Sequence, residues 1–275
     1  MSLHCGTFRL DLSRPIVMGI VNVTPDSFSD GGRHLSTAAA IAHALQLIEE
    51  GADILDIGGE STRPGAATVS EQEELDRVLP VLEGLRGVAV PISIDTYKSN
   101  VMRAAIHAGA SMVNDVKALQ VEGALQVVAQ SEAAVCLMHK QGTPQSMQQR
   151  PNYQDVVGEV SAFLRERIAA TEAAGIPRER IVIDPGLGFG KTLAHNLDLL
   201  RHLDSLCELG VPVLAGLSRK SMLGAITGRE VDDRLSASVA AALLAVQRGA
   251  SIVRVHDVRE TVDALKIWNA INESE

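Results

Sequence analysis

Three apolar runs of this chain end on groups able to hold a polar ring: Asp95 closes ISID, Asn114 closes SMVN and Asp184 closes IVID. A carboxylate or amide at the end of such a run needs a partner, because burying it without a hydrogen bond is costly. Each taken alone has a plain alternative role, capping the following helix or accepting from a loop amide. Together they match a planar heterocycle rich in donors and acceptors, since carboxylates accept from ring N–H and amino groups while asparagine both donates and accepts. A pterin or a purine-like ring fits that pattern.

A second set is cationic. Arg63 follows DIGGEST, Lys220 closes GLSRK, and Arg254 and His256 stand two residues apart in IVRVHD, hence on one face of an extended segment. Guanidinium and ammonium groups match phosphate oxygens, so the set reads as a local anion site. The alternative is that these cations pair internally with Asp95, Asp184 or Glu60. Lys220 also admits a Schiff-base role, as lysines at such positions serve in aldolases.

Two loops are rich in glycine, proline and small hydroxyls: NVTPDSFSDGG over 22–32 and GGESTRPGA over 58–66. Segments of this kind close over substrates and exclude water. The run PGLGFGK over 185–191 resembles a nucleotide loop only superficially. The phosphate-loop spacing requires glycine where Pro185 stands, and the dinucleotide spacing requires it where Lys191 stands. It reads instead as a tight strand-to-helix turn whose backbone approaches a ligand, with Phe189 offering an aromatic face. The histidines have no zinc spacing, and HExxH is absent.

Eight short β-branched runs position these groups: PIVMGIVN, DILDIGGE, PISID, SMVND, AAVCLMH, RIVIDPG, VPVLAGLSRK and SIVRVHD, about one per 34 residues. Helical periodicity separates them. Ile41, Leu45 and Ile48 precede Gly51, and Leu75, Val78, Leu79 and Leu82 follow a Ser70 start signal with Glu73 three residues on. Pro80 is expected to kink that second helix. Near-continuous apolar strands joined by right-handed crossovers are parallel and buried on both faces. Eight of them predict an α/β fold, a (β/α)8 TIM barrel, with the first dozen residues as a short N-terminal β-hairpin. An open doubly wound sheet is the competing architecture, but it calls for an early GxGxxG that the chain lacks. No linker or low-complexity tract interrupts the alternation, so residues 1–275 read as one domain.

With Lys+Arg at 25 and Asp+Glu at 34 the net charge is −9, which disfavours nucleic acid as a partner. Hydrophobic residues make up 46% of the chain, enough for a large core, yet no uncharged stretch is long enough to span a bilayer. Cys5, Cys136 and Cys207 are odd in number and widely spaced, which supports neither a disulfide framework nor a CxxC site. A cytoplasmic protein without a targeting segment is the expectation. The small-residue stretch RLSASVAAALLAVQRG suits close packing, either against the barrel or against a second copy.

The segments MGIVNVTPDSFSDGG, DIGGESTRPGA, ISIDTYK, VNDV, CLMH, IDPGLGFGK, GLSRKS and IVRVHDV, in that order, resemble the dihydropteroate synthase family nearly end to end, from about Phe8 to Trp268. The resemblance implies a TIM barrel, usually a homodimer, that is a transferase of folate biosynthesis and the target of sulfonamides. Its reaction joins (7,8-dihydropterin-6-yl)methyl diphosphate to 4-aminobenzoate, giving 7,8-dihydropteroate and diphosphate. Carried over by position, Asp95, Asn114, Asp184 and Lys220 hold the pterin. Asn22 binds Mg2+ with the diphosphate, which Thr62, Arg63, Arg254 and His256 grip. Phe28, Thr62, Pro64, Phe189, Lys220 and Ser221 line the aminobenzoate slot. Asp95, Lys220, Arg254 and His256 are the expected catalytic groups.

Two departures, Leu187 where the family often has phenylalanine and Lys140 after CLMH, bear on affinity rather than on reaction type. Two other readings remain open at this level: a pterin-dependent methyltransferase, which shares the Asp/Asn/Asp pattern, and a non-catalytic pterin-binding protein.

Overall fold

The computed structural model describes residues 1–23, 33–61, 66, 68–142 and 151–272, with side chains from 37 onward in the first helix. An antiparallel hairpin comes first, β1 (Ser2–Cys5) and β2 (Phe8–Asp11), registered Leu3 to Leu10. Eight parallel strands follow: β3 (Ile16–Asn22), β4 (Ile54–Gly58), β5 (Ile92–Asp95), β6 (Met112–Asp115), β7 (Ala134–Met138), β8 (Ile181–Asp184), β9 (Leu214–Gly216) and β10 (Ile252–Val255). Each pairs with its neighbours in the order 8-7-6-5-4-3-10-9. A parallel bridge from Ile183 to Val213 joins the two ends of the sheet into a TIM barrel.

Helices lie outside, between the strands: α1 (Arg33–Glu49), α2 (Glu71–Gly84), α3 (Ser99–His107), α4 (Ala124–Ala129), α5 (Val156–Ala173), α6 (Leu193–Arg201), α7 (Leu203–Cys207), α8 (Ser221–Thr227), α9 (Leu235–Gln247) and α10 (Val258–Asn272). Ser70 caps α2 as its sequence signal predicts, its side chain accepting from the Glu73 amide at 3.2 Å. Pro80 lies inside α2, which spans it. The small residues Ser238, Ala241, Ala242 and Ala245 of α9 are buried, and α9 packs on α10, α8 and β10. That answers one of the two packing choices left open by the sequence. No helix among the described residues is long and apolar enough to cross a membrane.

The two-residue period of the strands sorts their side chains into two cores. Val17, Val21, Leu55, Ile57, Ile94, Val113, Val135, Leu137, Ile181 and Ile183 face the helices in the larger one. Ile16, Met18, Ile54, Met112, Ala134, Cys136, Val182, Leu214 and Ile252 fill the barrel interior. Leu3 and Cys5 of the hairpin belong to the interior cluster and are wholly buried, so the hairpin plugs the amino-terminal end of the barrel. Arg180 fastens that end, donating to the Ala133 and Val128 carbonyls. Truncating Leu3 to alanine therefore opens a cavity in the barrel floor. We expect a loss of about 2–5 kcal/mol in chemical denaturation, with the turnover of the folded fraction unchanged.

Candidate active site

The same period that makes an apolar floor makes a polar ceiling. Continuing upward from Met18, Ile54, Ser93, Met112, Val182 and Ile252, the inward positions become Asn22, Asp56, Asp95, Asn114, Asp184 and Arg254. Register places them side by side: Asn22 lies opposite Gly58, Gly58 opposite Asp95, and Asp95 opposite Asn114. This layer stands at the carboxyl ends of the strands, the face on which TIM-barrel enzymes place their chemistry.

Arg254 is the hub of the layer. Its Nε donates to Asp56 Oδ2 at 2.6 Å and its Nη2 to Asp95 Oδ2 at 2.9 Å. Asn114 Nδ2 donates to the same Asp56 oxygen at 2.9 Å. Burial opposes the Arg254 charge, but Asp56 and Asp95 more than offset it and raise its pKa further. Asp95 is pulled both ways: burial lifts it, Arg254 lowers it, and the carboxylates of Asp56, Glu74 and Asp115 lift it again, for a net rise to about 7. Burial also raises Asp184, against the pull of Lys220. Asp184 Oδ1 accepts from the Gly186 amide at 2.7 Å.

Lys220 caps the start of α8, so Ser221 is the first residue of that helix and stands exposed at its N-terminus. The Lys220 ammonium donates to the Leu187 carbonyl and lies 4.8 Å from the centre of the Phe189 ring. Burial lowers its pKa to about 8, with Asp184 resisting. A side chain at Gly216 would meet both Lys220 Nζ and Arg254 Cβ at 3.8 Å, so the two cations flank one small opening. Next to it, Ser218 Oγ lies 2.9 Å from His256 Nδ1.

Sequence and structure therefore agree on one mouth for Asp95, Asn114, Asp184, Lys220, Arg254, Phe189 and Ser221, with His256 just past β10 and Asn22 at the end of β3. The internal-pairing alternative also holds in part, because Arg254 spends its donors on Asp56 and Asp95. Phe28, Thr62, Arg63 and Pro64 lie outside the described residues. The base of their second loop is nevertheless defined. Glu60 accepts from the Val69 amide at 3.3 Å and from Lys98 Nζ at 2.6 Å, and Lys98 also pairs with the buried Glu74. Departure and return of the loop are thus tied to one carboxylate.

Two participants escaped sequence reading. Asp56 lies in the middle of the DILDIG run, and its two-residue offset from Ile54 puts it inside the barrel. That offset was the available signal. In the sequence Lys191 stands out only as the residue that departs from a glycine motif. Its buried ammonium donates to the Gly186 carbonyl at 2.9 Å and the Phe189 carbonyl at 3.1 Å, and meets His139 Nδ1 at 3.0 Å.

Burial lowers Lys191 to about 7, and burial and Lys191 together lower His139 to about 3, so the imidazole is neutral. The glycines of this turn serve a closer approach than the sequence suggested. A Cβ on Gly186, which has φ +67°, would stand 1.8 Å from the His139 carbonyl oxygen. They let the turn press on the end of β7, and Lys191 rivets the two together beneath Phe189.

The fold and this layer define a pterin-binding barrel, and a family model described as pterin binding enzyme matches residues 18–256. The chain is 56% identical over 273 residues to the dihydropteroate synthase of Neisseria meningitidis serogroup C, covering 98% of this chain and 96% of that one. Among solved structures, the Xanthomonas albilineans dihydropteroate synthase with 4-aminobenzoic acid superposes with TM-score 0.94 at 58% identity, over 100% of this chain and 99% of that one. The same enzyme in complex with 7,8-dihydropteroate gives TM-score 0.92 at 56% identity, over all of both chains. This chain belongs to the dihydropteroate synthase family, transferases of folate biosynthesis that act on small-molecule substrates. The match selects the synthase over the methyltransferase and the non-catalytic pterin binder that the Asp/Asn/Asp pattern left open.

Proposed function

We propose that the polar ceiling holds the dihydropterin ring and the cations beside it hold the diphosphate, so that the ring's exocyclic CH2 is presented to 4-aminobenzoate. The observation that carries this is the single layer above an apolar floor in which Arg254 bridges Asp56 and Asp95, Asn114 donates to Asp56, and Asp184 stands alongside on the Gly186 amide. Asp95, Asn114 and Asp184 pair with the edges of the ring, and Lys220 joins them from β9. Arg254 and His256, with Thr62 and Arg63 from the second loop, take the diphosphate oxygens. Phe189, Lys220 and Ser221 wall the aminobenzoate slot, and the family resemblance assigns Phe28, Thr62 and Pro64 to the same slot.

The C–O bond to diphosphate breaks with its electron pair leaving on oxygen, and the arylamine nitrogen forms the new C–N bond and then loses its proton. Donors aimed at the leaving group stabilise charge as it develops, the effect worth most in a site closed to water. Asp95 as an anion steadies the positive charge that the ring takes up in the same interval. Exclusion of water from the site keeps the carbon for the amine.

The family implies Mg2+. Among the described residues no cluster of three or more histidine, cysteine or acidic side chains forms a metal cage. Asn22, half-buried at the end of β3, supplies one hard oxygen. One protein oxygen plus substrate phosphates is the donor set that Mg2+ accepts, since it keeps much of its water and rarely uses an all-protein cage. Asn22 would hold it, where the ion supplies further charge neutralisation for diphosphate.

Mixing the protein with dihydropterin diphosphate, 4-aminobenzoate and Mg2+ should yield dihydropteroate, and absence of product would refute the reading. A pH profile tests the residue roles. As pH falls, Asp95 takes up a proton near 7 and ceases to be an anion. As pH rises, Lys220 loses its proton near 8. A narrow bell in kcat/KM is therefore expected, its two limbs being macroscopic values of interacting groups. Lys220→Arg should abolish the alkaline limb and leave the acid one.

We read the chain further as one domain of a cytoplasmic homodimer. Leu244 of α9 and Ile267 and Ile271 of α10 are exposed at 47%, 65% and 76% on adjoining helices, an apolar face suited to a second copy. Sedimentation at two concentrations should show the dimer, and a monomer at both would remove it.

A further inference from the structure

Three non-glycine residues among those described have positive φ: Ala118, Leu119 and Arg219. The first two share a tight turn after β6, where Asp115 accepts the amides of Lys117 and Leu119 at 2.7 and 2.8 Å. Arg219, at φ +57°, stands between Ser218 and Lys220, and left-handed backbone at a long side chain persists only where its surroundings hold it. Those surroundings are explicit. The Arg219 amide donates to Ser238 Oγ at 2.9 Å, and its carbonyl accepts from Arg234 Nη1 at 3.1 Å. Its guanidinium forks onto Asp257, Nε to Oδ2 at 3.2 Å and Nη2 to Oδ1.

Asp257 immediately follows His256, as Arg219 immediately follows Ser218. The loop after β9 and the end of β10 are therefore joined by two consecutive rungs. One is Ser218 with His256, whose amide also donates to Ser218 Oγ at 3.2 Å. The other is Arg219 with Asp257. A residue in left-handed conformation reverses the chain locally, so the direction in which Lys220 leaves the loop depends on Arg219 staying there.

We propose that the Arg219–Asp257 ion pair is a positioning element of the reaction, a latch that holds Arg219 left-handed and so fixes Lys220 and His256 relative to each other. The proposal rests on the assignment of those two side chains made above. A latch of this kind acts on kcat more than on substrate affinity, because misplacing charged groups by a fraction of an ångström affects most the contacts that tighten as charge develops.

The test compares Arg219→Gly, which adopts positive φ freely but has no guanidinium, with Asp257→Asn, the double variant and Arg219→Lys. Each is measured for kcat, KM, melting temperature and binding of inorganic diphosphate by calorimetry. The single variants should lose about tenfold or more in kcat with KM changed little. The double variant should be no worse than the poorer single one, and Arg219→Lys should recover part of the loss. Diphosphate should bind several-fold more weakly to both single variants.

A lowered melting temperature with unchanged kcat and unchanged diphosphate binding would reduce the pair to a structural brace. Multiplying losses in the double variant would show two independent contributions and no latch. If the parent protein makes no dihydropteroate, the functional assignment falls, while the diphosphate titration still reports whether the pair organises an anion site.

Discussion

Replacing Arg254 with methionine should cost both turnover and stability, each by a large amount. In the native layer one guanidinium satisfies Asp56 and Asp95, and Asn114 donates to the same Asp56 oxygen. Without it two buried carboxylates face each other across the barrel mouth. Leaving one partner of a buried pair uncompensated costs about 3–5 kcal/mol. On the proposed assignment of Arg254 to the diphosphate, the leaving group also loses a donor, worth about 100- to 1000-fold in kcat by analogy with single oxyanion-hole donors. Urea denaturation and steady-state kinetics read the two effects separately. Adding Asp56→Asn to the Arg254 variant should return part of the stability and none of the turnover. A variant with parent-like kcat and only a raised KM would mean that Arg254 positions the ground state alone.

Asp95→Asn is the second large effect and separates charge from shape. The amide is close in size and still accepts a hydrogen bond, but it can no longer stabilise positive charge on the ring. Pterin binding should weaken modestly while kcat falls about 100-fold or more. Stability should change in the opposite sense to the Arg254 variant. The Asp95 carboxyl is raised to about 7 in the folded protein, so its stabilising contribution is complete below its unfolded value and is lost as pH rises through about 7. Removing the ionisable group should accordingly flatten the fall in stability across that window, measured as denaturation midpoint against pH. Parent-like turnover by the variant would sink the electrostatic role.

The barrel was legible in the chain because its strands obey one rule. Each is a short apolar run, five of the eight turn polar at their last inward position (Asn22, Asp95, Asn114, Asp184 and Arg254), and the alternation with helical periods leaves little other architecture. The hairpin was also anticipated, but its use was not: that Leu3 and Cys5 complete the barrel floor follows from their sharing one interior cluster with residues as far along the chain as Ile252.

At the site, residues at strand ends could be found from sequence because a polar group closing an apolar run announces itself. Asp56 could not be ranked with them, since it sits one inward position below the strand's end and its partners Arg254 and Asn114 are 198 and 58 residues away. Lys191 was hidden for a related reason. A buried lysine reads as an exposed one until the carbonyls of a glycine turn are seen to close on it. Arg219 was beyond sequence reading altogether, because nothing in the residue types of SRK says that the middle one is left-handed.

The most direct test is a crystal structure of this protein with a dihydropterin bound. The ring should lie in the mouth with its edges within hydrogen-bonding distance of Asp95, Asn114 and Asp184, and with Arg254 on the side from which the exocyclic CH2 projects. A ring seated elsewhere, with those three side chains still paired only to protein groups, would contradict the account.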